Sequence, residues 1–164
     1  MTLSGSCARG AAVSAYVAPV VLLAADLALV SFVSTPGLVL QRIAMALFVP
    51  AVAGAAVLAR DRAGWQVAAG GVLAAIGAAA VALTPAVLVT PTRPPALLFP
   101  LGLLVLSAAM IGSRVPRRTA ALVAAGALLF PLAHLSGVPA ALIGGDAIFL
   151  AAFWQLATKM RQAP

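Results

Sequence analysis

Four polar side chains that could bind a ligand or transfer protons lie inside the apolar stretches of this sequence. They are Asp26, Arg42, His134 and Asp146. Carboxylate and imidazole groups accept and release protons, and a guanidinium binds anions, so the set suits acid/base chemistry or recognition of a polar group. An ionisable group in an apolar stretch is costly unless it is paired, hydrogen-bonded or protonated. We therefore take these four residues as the candidate binding site.

The last third of the chain brings two of the four close together. Two apolar runs are joined by residues 136–139, Ser-Gly-Val-Pro, which favour a tight turn between antiparallel helices. His134 precedes this turn and Asp146 follows it, with an offset of about one helical turn. We expect the two side chains to interact if they lean toward each other or share a water or a ligand.

The composition of the chain is typical of a membrane protein. Of its 164 residues, 64% are hydrophobic and 8% are charged, whereas soluble proteins have roughly 45–50% apolar and about 25% charged residues. The apolar runs lack the alternation of transmembrane strands, which favours helices over a β-barrel. The absence of Asn and Glu and the excess of Arg over Lys resemble the codon bias of high-GC bacteria. The sequence thus predicts an all-α integral membrane bundle of the bacterial inner membrane, as a single domain over residues 1–164.

The apolar runs predict six membrane spans. They cover about residues 11–34, 38–59, 65–90, 96–113, 119–136 and 139–158, at lengths suited to a core roughly 30 Å thick. A charged loop at 60–62, Arg-Asp-Arg, separates the second span from the third. The third span carries a small residue at every fourth position, which lets a neighbouring helix approach closely. These small residues are Gly70, Ala74, Ala78 and Ala82.

The basic residues predict the orientation of the bundle. With the N-terminus inside, eight of them lie on the cytoplasmic side: Arg9, Arg60, Arg62, Arg114, Arg117, Arg118, Lys159 and Arg161. The opposite side holds only Arg93. This positive-inside asymmetry predicts that both termini are cytoplasmic. It also explains the net charge of +7 through the lipid bilayer as partner, with no nucleic acid required.

With this topology, all four candidate residues lie in the outer half of the membrane. His134, Arg42, Asp146 and Asp26 come out at depths of roughly 4, 7, 10 and 12 Å below the outer boundary. Prolines near the outer ends of spans three, four and five bend the helices and free backbone carbonyls there. These are Pro85, Pro100 and Pro131. The sequence therefore predicts an outward-facing polar pocket.

Each candidate residue also has a purely structural interpretation. Arg42 either snorkels to the outer boundary or turns inward to pair with Asp26 or Asp146 and lock the bundle. His134, near a helix end, suits an interfacial or hydrogen-bonded position. The glycines at 144–145 would let another backbone come close to the second aspartate.

A short internal similarity also involves the two aspartates. Residues 19–26 and 139–146 share the spacing Pro-x6-Asp, in spans that cross the membrane in opposite directions. Inverted repeats of this kind build many transporter sites.

No motif in the sequence identifies a catalytic nucleophile, a cofactor or a metal site, and the single Cys7 excludes an intramolecular disulfide. Residues 96–160 contain a span, an Arg-Val-Pro-Arg loop, a Leu-Phe-Pro-Leu-Ala-His span and a Gly-Gly-Asp span. This pattern resembles uncharacterised small polytopic membrane proteins of high-GC bacteria, and the resemblance implies a six-helix fold without a function. The six-span layout with an outward site is also similar in architecture to substrate-binding subunits of vitamin uptake systems.

The sequence favours a protein that binds or transports a small amphiphile or a lipid headgroup. Arg42 would be the anion partner, and Asp26, Asp146 and His134 the hydrogen-bonding or proton-carrying groups. One alternative is an intramembrane acid/base enzyme, an isomerase or cyclase on an apolar substrate. Another is a structural subunit of a homo-oligomer or of a larger membrane complex. None of these functions is expected to use a cofactor or a metal.

Overall fold

The computed structural model describes residues 5–31, 34–84, 94–113, 115–136 and 138–162. Over these residues the chain forms α-helices and no strand. The helices are α1 (Gly5–Val30), α2 (Thr35–Arg60), α3 (Gly64–Leu83), α4 (Pro94–Ile111), α5 (Arg117–Ser136) and α6 (Pro139–Gln162). All except α4 are long and apolar enough to cross a membrane, and the apolar part of α4, Leu97–Ile111, is shorter. The prediction of an apolar, all-helical bundle is confirmed.

The helices pack as a closed antiparallel ring. Contacts join α1 to α2, α4 to both α3 and α5, and α5 to α6. Gly71 of α3 faces Ala56 of α2, and α6 packs on α1 to close the ring. Successive helices alternate in direction, so the last residues of α1, α3 and α5 and the first residues of α2, α4 and α6 lie at one end, which we call the hairpin end. The opposite helix ends, with Gly5 and Gln162, lie at the other end, which we call the termini end.

The junction of α2 and α3 differs from the prediction of a charged loop at 60–62. Helical backbone continues through these residues, and the run Ser34–Leu83 is interrupted at Gly64 instead. Gly64 has φ 47° and ψ −126°, a conformation that residues with a Cβ adopt only under strain. Arg and Asp are compatible with a helix, whereas glycine is a poor helix former. The chain therefore turns at the glycine and not at the charges.

Two other helix ends differ from the predicted spans. Helix α1 begins at Gly5 and not near residue 11, because its polar first turns still contain residues that a helix accepts. Helix α3 ends at Leu83, where the prediction continued to 90. The amide and the hydroxyl of Thr84 both donate to the carbonyl of Ala80, and the next residue in the sequence is Pro85, which disfavours helix before it. Residues 85–90 lie outside the described part of the chain.

Helices α3 and α4 touch backbone to backbone. A Cβ added to Gly102 would lie 2.1 Å from the amide nitrogen of Ala74, and one added to Gly70 would lie 2.6 Å from that of Leu106. Ala74 is fully buried. The predicted small-residue stripe on the third span therefore does allow a neighbouring helix to approach closely.

Five of the six phenylalanines form one connected cluster inside the ring, which we call the phenylalanine core. Its members are Phe48, Phe99, Phe130, Phe149 and Phe153. The ring of Phe149 on α6 is at its centre, with centroids 6.0 Å from Phe48, 6.1 Å from both Phe99 and Phe153, and 5.7 Å from Phe130. In a membrane, where lipid is as apolar as the side chains, such close ring packing holds helices together through dispersion and edge-to-face contacts.

Candidate functional site

Asp26 and Asp146 meet near the hairpin end. Asp26 lies four residues before the end of α1 and Asp146 seven residues after the start of α6, so the antiparallel packing of these helices places them at the same level. Both side chains are only 1% exposed. Their carboxyl groups are neighbours. Both aspartates thus point into the protein.

The packing of α1 on α6 is fixed further along by a polar and aromatic contact. The indole nitrogen of Trp154 donates to the carbonyl oxygen of Tyr16 over 3.2 Å. The Tyr16 hydroxyl is 3.0 Å from that of Thr158, and the two aromatic rings meet edge to face with centroids 5.9 Å apart. These contacts hold the two helices in the register that brings their aspartates together.

His134 of α5 completes the site. Its Nε2 lies 3.8 Å from Oδ2 of Asp26, and its Nδ1 lies 2.9 Å from the carbonyl oxygen of Phe130. Because a carbonyl oxygen only accepts, Nδ1 must carry the hydrogen in this bond. The ring of Phe130 lies against the imidazole, with centroids 4.4 Å apart. Nε2 is therefore the nitrogen that is free to exchange a proton with the carboxyl group.

The hairpin predicts an interaction between His134 and Asp146. In the structure, the carboxylate within ion-pair distance of His134 is that of Asp26. Helices α5 and α6 do form the predicted tight hairpin, from Ser136 to Pro139. The ion pair of the imidazole, however, is with Asp26 of α1, and Asp26 in turn faces Asp146. The offset of one helical turn across the hairpin keeps the histidine nearer to α1. Three of the four predicted residues thus form one group, which we call the Asp–Asp–His cluster.

Four buried polar atoms of the cluster have no hydrogen-bond partner. They are both carboxylate oxygens of Asp26, Oδ2 of Asp146 and Nε2 of His134. Buried polar atoms in proteins almost always have a partner, and each exception calls for an explanation. Here the exceptions converge on one place, so the cluster has an unused capacity for a proton or for a group that donates hydrogen bonds.

Arg42, the fourth predicted residue, lies apart from the cluster in its bonding. Its Nε donates to the carbonyl oxygen of Ala82 over 2.9 Å, and the side chain is half-buried. Ala82 is in the last turn of α3, where carbonyls have no partner within the helix. Among the described residues, the carboxylate of Asp26 has its ion-pair-distance contact with His134, and none joins Arg42 to an aspartate.

The glycines before Asp146 do not bring another backbone close, contrary to the prediction. A Cβ added to Gly144 would meet nothing within 4 Å, and one added to Gly145 would only touch the Cβ of Leu129 at 4.0 Å. Gly145 is nevertheless buried. Gly144 is exposed on the outer surface of α6, and Gly145 packs inward beside Leu129.

The phenylalanine core lies directly below the cluster, toward the termini end. Phe130 contacts both His134 and Phe149, at 4.4 and 5.7 Å between centroids. Phe149 is three residues after Asp146 on the same helix and is fully buried. The contribution of Phe130 to the site was not predicted from the sequence. The available signal was that Phe130 lies four residues before His134 on one helix face.

Within the described residues, no group of three or more His, Cys, Asp or Glu side chains has the arrangement of a metal site. Comparison of the chain with protein-family models, with curated proteins and with solved structures finds no match. The geometry of the cluster and the topology of the bundle are therefore the basis for a function.

Proposed function

We propose that the chain is a six-span protein of the bacterial inner membrane with both termini in the cytoplasm. Five helices have the length and apolarity to cross a membrane. The sixth, α4, packs antiparallel between α3 and α5, which supports a sixth crossing. The basic residues support the orientation. By sequence, eight of them belong to the side of the bundle that carries both termini, whereas Arg42 and Arg93 belong to the hairpin half.

In this orientation the Asp–Asp–His cluster lies in the outer half of the membrane. We propose that it is a binding site, and that the protein binds or transports a small amphiphile or a lipid headgroup there. The observation that carries this proposal is the convergence of four unpartnered buried atoms from α1 and from the α5–α6 hairpin. A merely structural polar cluster would satisfy its own hydrogen bonds, because each unsatisfied buried group costs about 1–3 kcal/mol.

The phenylalanine core restricts how such a ligand could move. Phe48, Phe149 and Phe153 are each fully buried below the cluster. A ligand at the cluster therefore exchanges with the hairpin side, and passage to the other side requires the helices to rearrange. This supports binding, or transport by alternating access, over an open channel.

Native mass spectrometry of the protein purified in a mild detergent tests the proposal. We expect the wild type to retain a small molecule that the double variant Asp26→Asn, Asp146→Asn does not retain. Thr119→Val is the matched control, because it removes a buried hydrogen bond to Gln155, 2.6 Å long, at the termini end. The control should keep the molecule. An unliganded wild type, or equal retention by the double variant, would contradict the proposal. A co-purified protein in place of a small molecule would favour the structural subunit.

A second candidate function, the intramembrane acid/base enzyme, is favoured by one specific observation. The bond from Nδ1 of His134 to Phe130 fixes the ring so that Nε2 faces the carboxyl of Asp26, as in a pair that relays a proton. Lipid extracts incubated with wild type and with His134→Gln distinguish the two functions. A product formed only by the wild type supports the enzyme, and recovery of an unchanged ligand supports binding or transport.

A further inference from the structure

We propose that the Asp–Asp–His cluster selects ligands by a primary ammonium group. This inference rests on the proposed binding function and names the class of ligand. Three of the four unpartnered atoms are carboxylate oxygens, which only accept hydrogen bonds when ionised, and an ammonium group has three N–H donors. Both aspartates are 1% exposed, so the oxygens face the protein interior and not the lipid.

The charges of the cluster agree with one positive ligand. Two neighbouring buried carboxyl groups that keep one proton between them carry one negative charge, which a single ammonium would neutralise. Arg42 does not supply this positive charge, because its guanidinium donates to the carbonyl oxygen of Ala82. An anionic group would instead meet two carboxyl groups, and a hydroxyl would bring no charge to offset theirs.

Aromatic rings flank the same place. Phe130 lies against His134, with centroids 4.4 Å apart. Phe149, which contacts Phe130 at 5.7 Å between centroids, follows Asp146 by one helical turn. Ring faces attract cations, and carboxylates next to aromatic rings are a common environment for ammonium recognition. Acceptors, net charge and rings therefore favour the same ligand chemistry.

Binding of three probes with the same octyl chain tests the inference: octylamine, octanol and octanoate. The protein is held in nanodiscs of phosphatidylglycerol, and the melting temperature is followed as each probe is added. We expect octylamine to stabilise the wild type with an apparent affinity at least about tenfold above that of octanol, and octanoate to have no effect. The double variant Asp26→Asn, Asp146→Asn should lose this preference, and Thr119→Val should keep it.

A second arm separates a free amine from a lipid headgroup. The wild type and the double variant are compared in nanodiscs with and without phosphatidylethanolamine, which carries a primary ammonium. If the lipid is the source, phosphatidylethanolamine should raise the melting temperature of the wild type alone and weaken the effect of octylamine. If a free amine is the source, only octylamine should act.

Equal effects of octylamine and octanol on the wild type, or an octylamine effect that survives in the double variant, would overturn the inference. So would a cluster that binds a proton only, in which case no amine shifts the wild type. The proposed binding function is judged separately by native mass spectrometry. A retained ligand without an amine leaves binding supported and refutes ammonium selection, whereas an unliganded wild type that also ignores octylamine refutes both.

Discussion

The pairing of His134 with Asp26 can be measured by a double-mutant cycle. The charged atoms are 3.8 Å apart, so two unit charges would attract by about 4 kcal/mol at an effective dielectric constant of about 20. Desolvation of both groups reduces this, and we expect a coupling free energy of about 1–3 kcal/mol, within the range of contacting residues. The variants are Asp26→Ala, His134→Ala and their combination. The cycle cancels the loss of the His134 bond to Phe130, which both histidine variants share.

Reversible unfolding in mixed micelles, followed by circular dichroism as the fraction of denaturing detergent rises, gives the four free energies. Arg42 supplies the matched control pair, because it is also a cation of the hairpin half but donates to Ala82. Arg42→Ala and Asp26→Ala should be additive within roughly 0.5 kcal/mol. Additivity of the histidine pair together with coupling of the arginine pair would refute the assignment of partners made here.

Four further results are expected. Gly102→Ala should destabilise the bundle by about 1–3 kcal/mol through overpacking, since its Cβ would lie 2.1 Å from the nitrogen of Ala74; failure of the melting temperature to fall would contradict the close contact. Gly145→Ala, with only a 4.0 Å contact, should leave the unfolding free energy unchanged or raise it by up to about 1 kcal/mol. Gly64→Ala should cost about 1–3 kcal/mol, because alanine is strained at φ 47°; a silent variant in the same unfolding assay would refute this. Reporter fusions at the C-terminus should be cytoplasmic and fusions within 91–95 external, and the reverse pattern would place the cluster on the cytoplasmic side.

The helices could be predicted from the sequence because each apolar run is a local signal. The boundaries were less accurate where the signal is not hydrophobicity. Gly64 and not the charged run at 60–62 breaks the α2–α3 run, since backbone conformation and not charge decides where a helix turns. Helix α3 ends at Leu83, two residues before Pro85, and the restriction that a proline places on the preceding residue is a backbone effect that an apolar pattern does not show.

The cluster could be predicted only in part. Depth along each span placed Asp26 and Asp146 at similar levels and His134 nearer the outer boundary, and the shared Pro-x6-Asp spacing related the two aspartates. Which groups touch depends on how α1 packs against α5 and α6, which is non-local information. The same limit explains why the hairpin alone suggested Asp146 as the partner of the histidine, whereas the contact within 4 Å is with Asp26. The sequence also left open what Arg42 would bond to, because its partner, the carbonyl of Ala82, is free only where α3 ends.

The backbone contact between α3 and α4 divides the bundle mechanically. At Gly70 and Gly102 the two main chains leave no space for a methyl group, so neither helix can rotate about its own axis without a collision. The helices that carry the Asp–Asp–His cluster meet in part through large side chains, with Tyr16 of α1 on Trp154 of α6 and Phe149 of α6 on Gly126 of α5, and such side chains can change rotamer. A change in access to the cluster would therefore use α3 and α4 as a stationary frame. The moving part would be the three helices that hold the ionisable groups, so opening the site would also alter the distances between its charges.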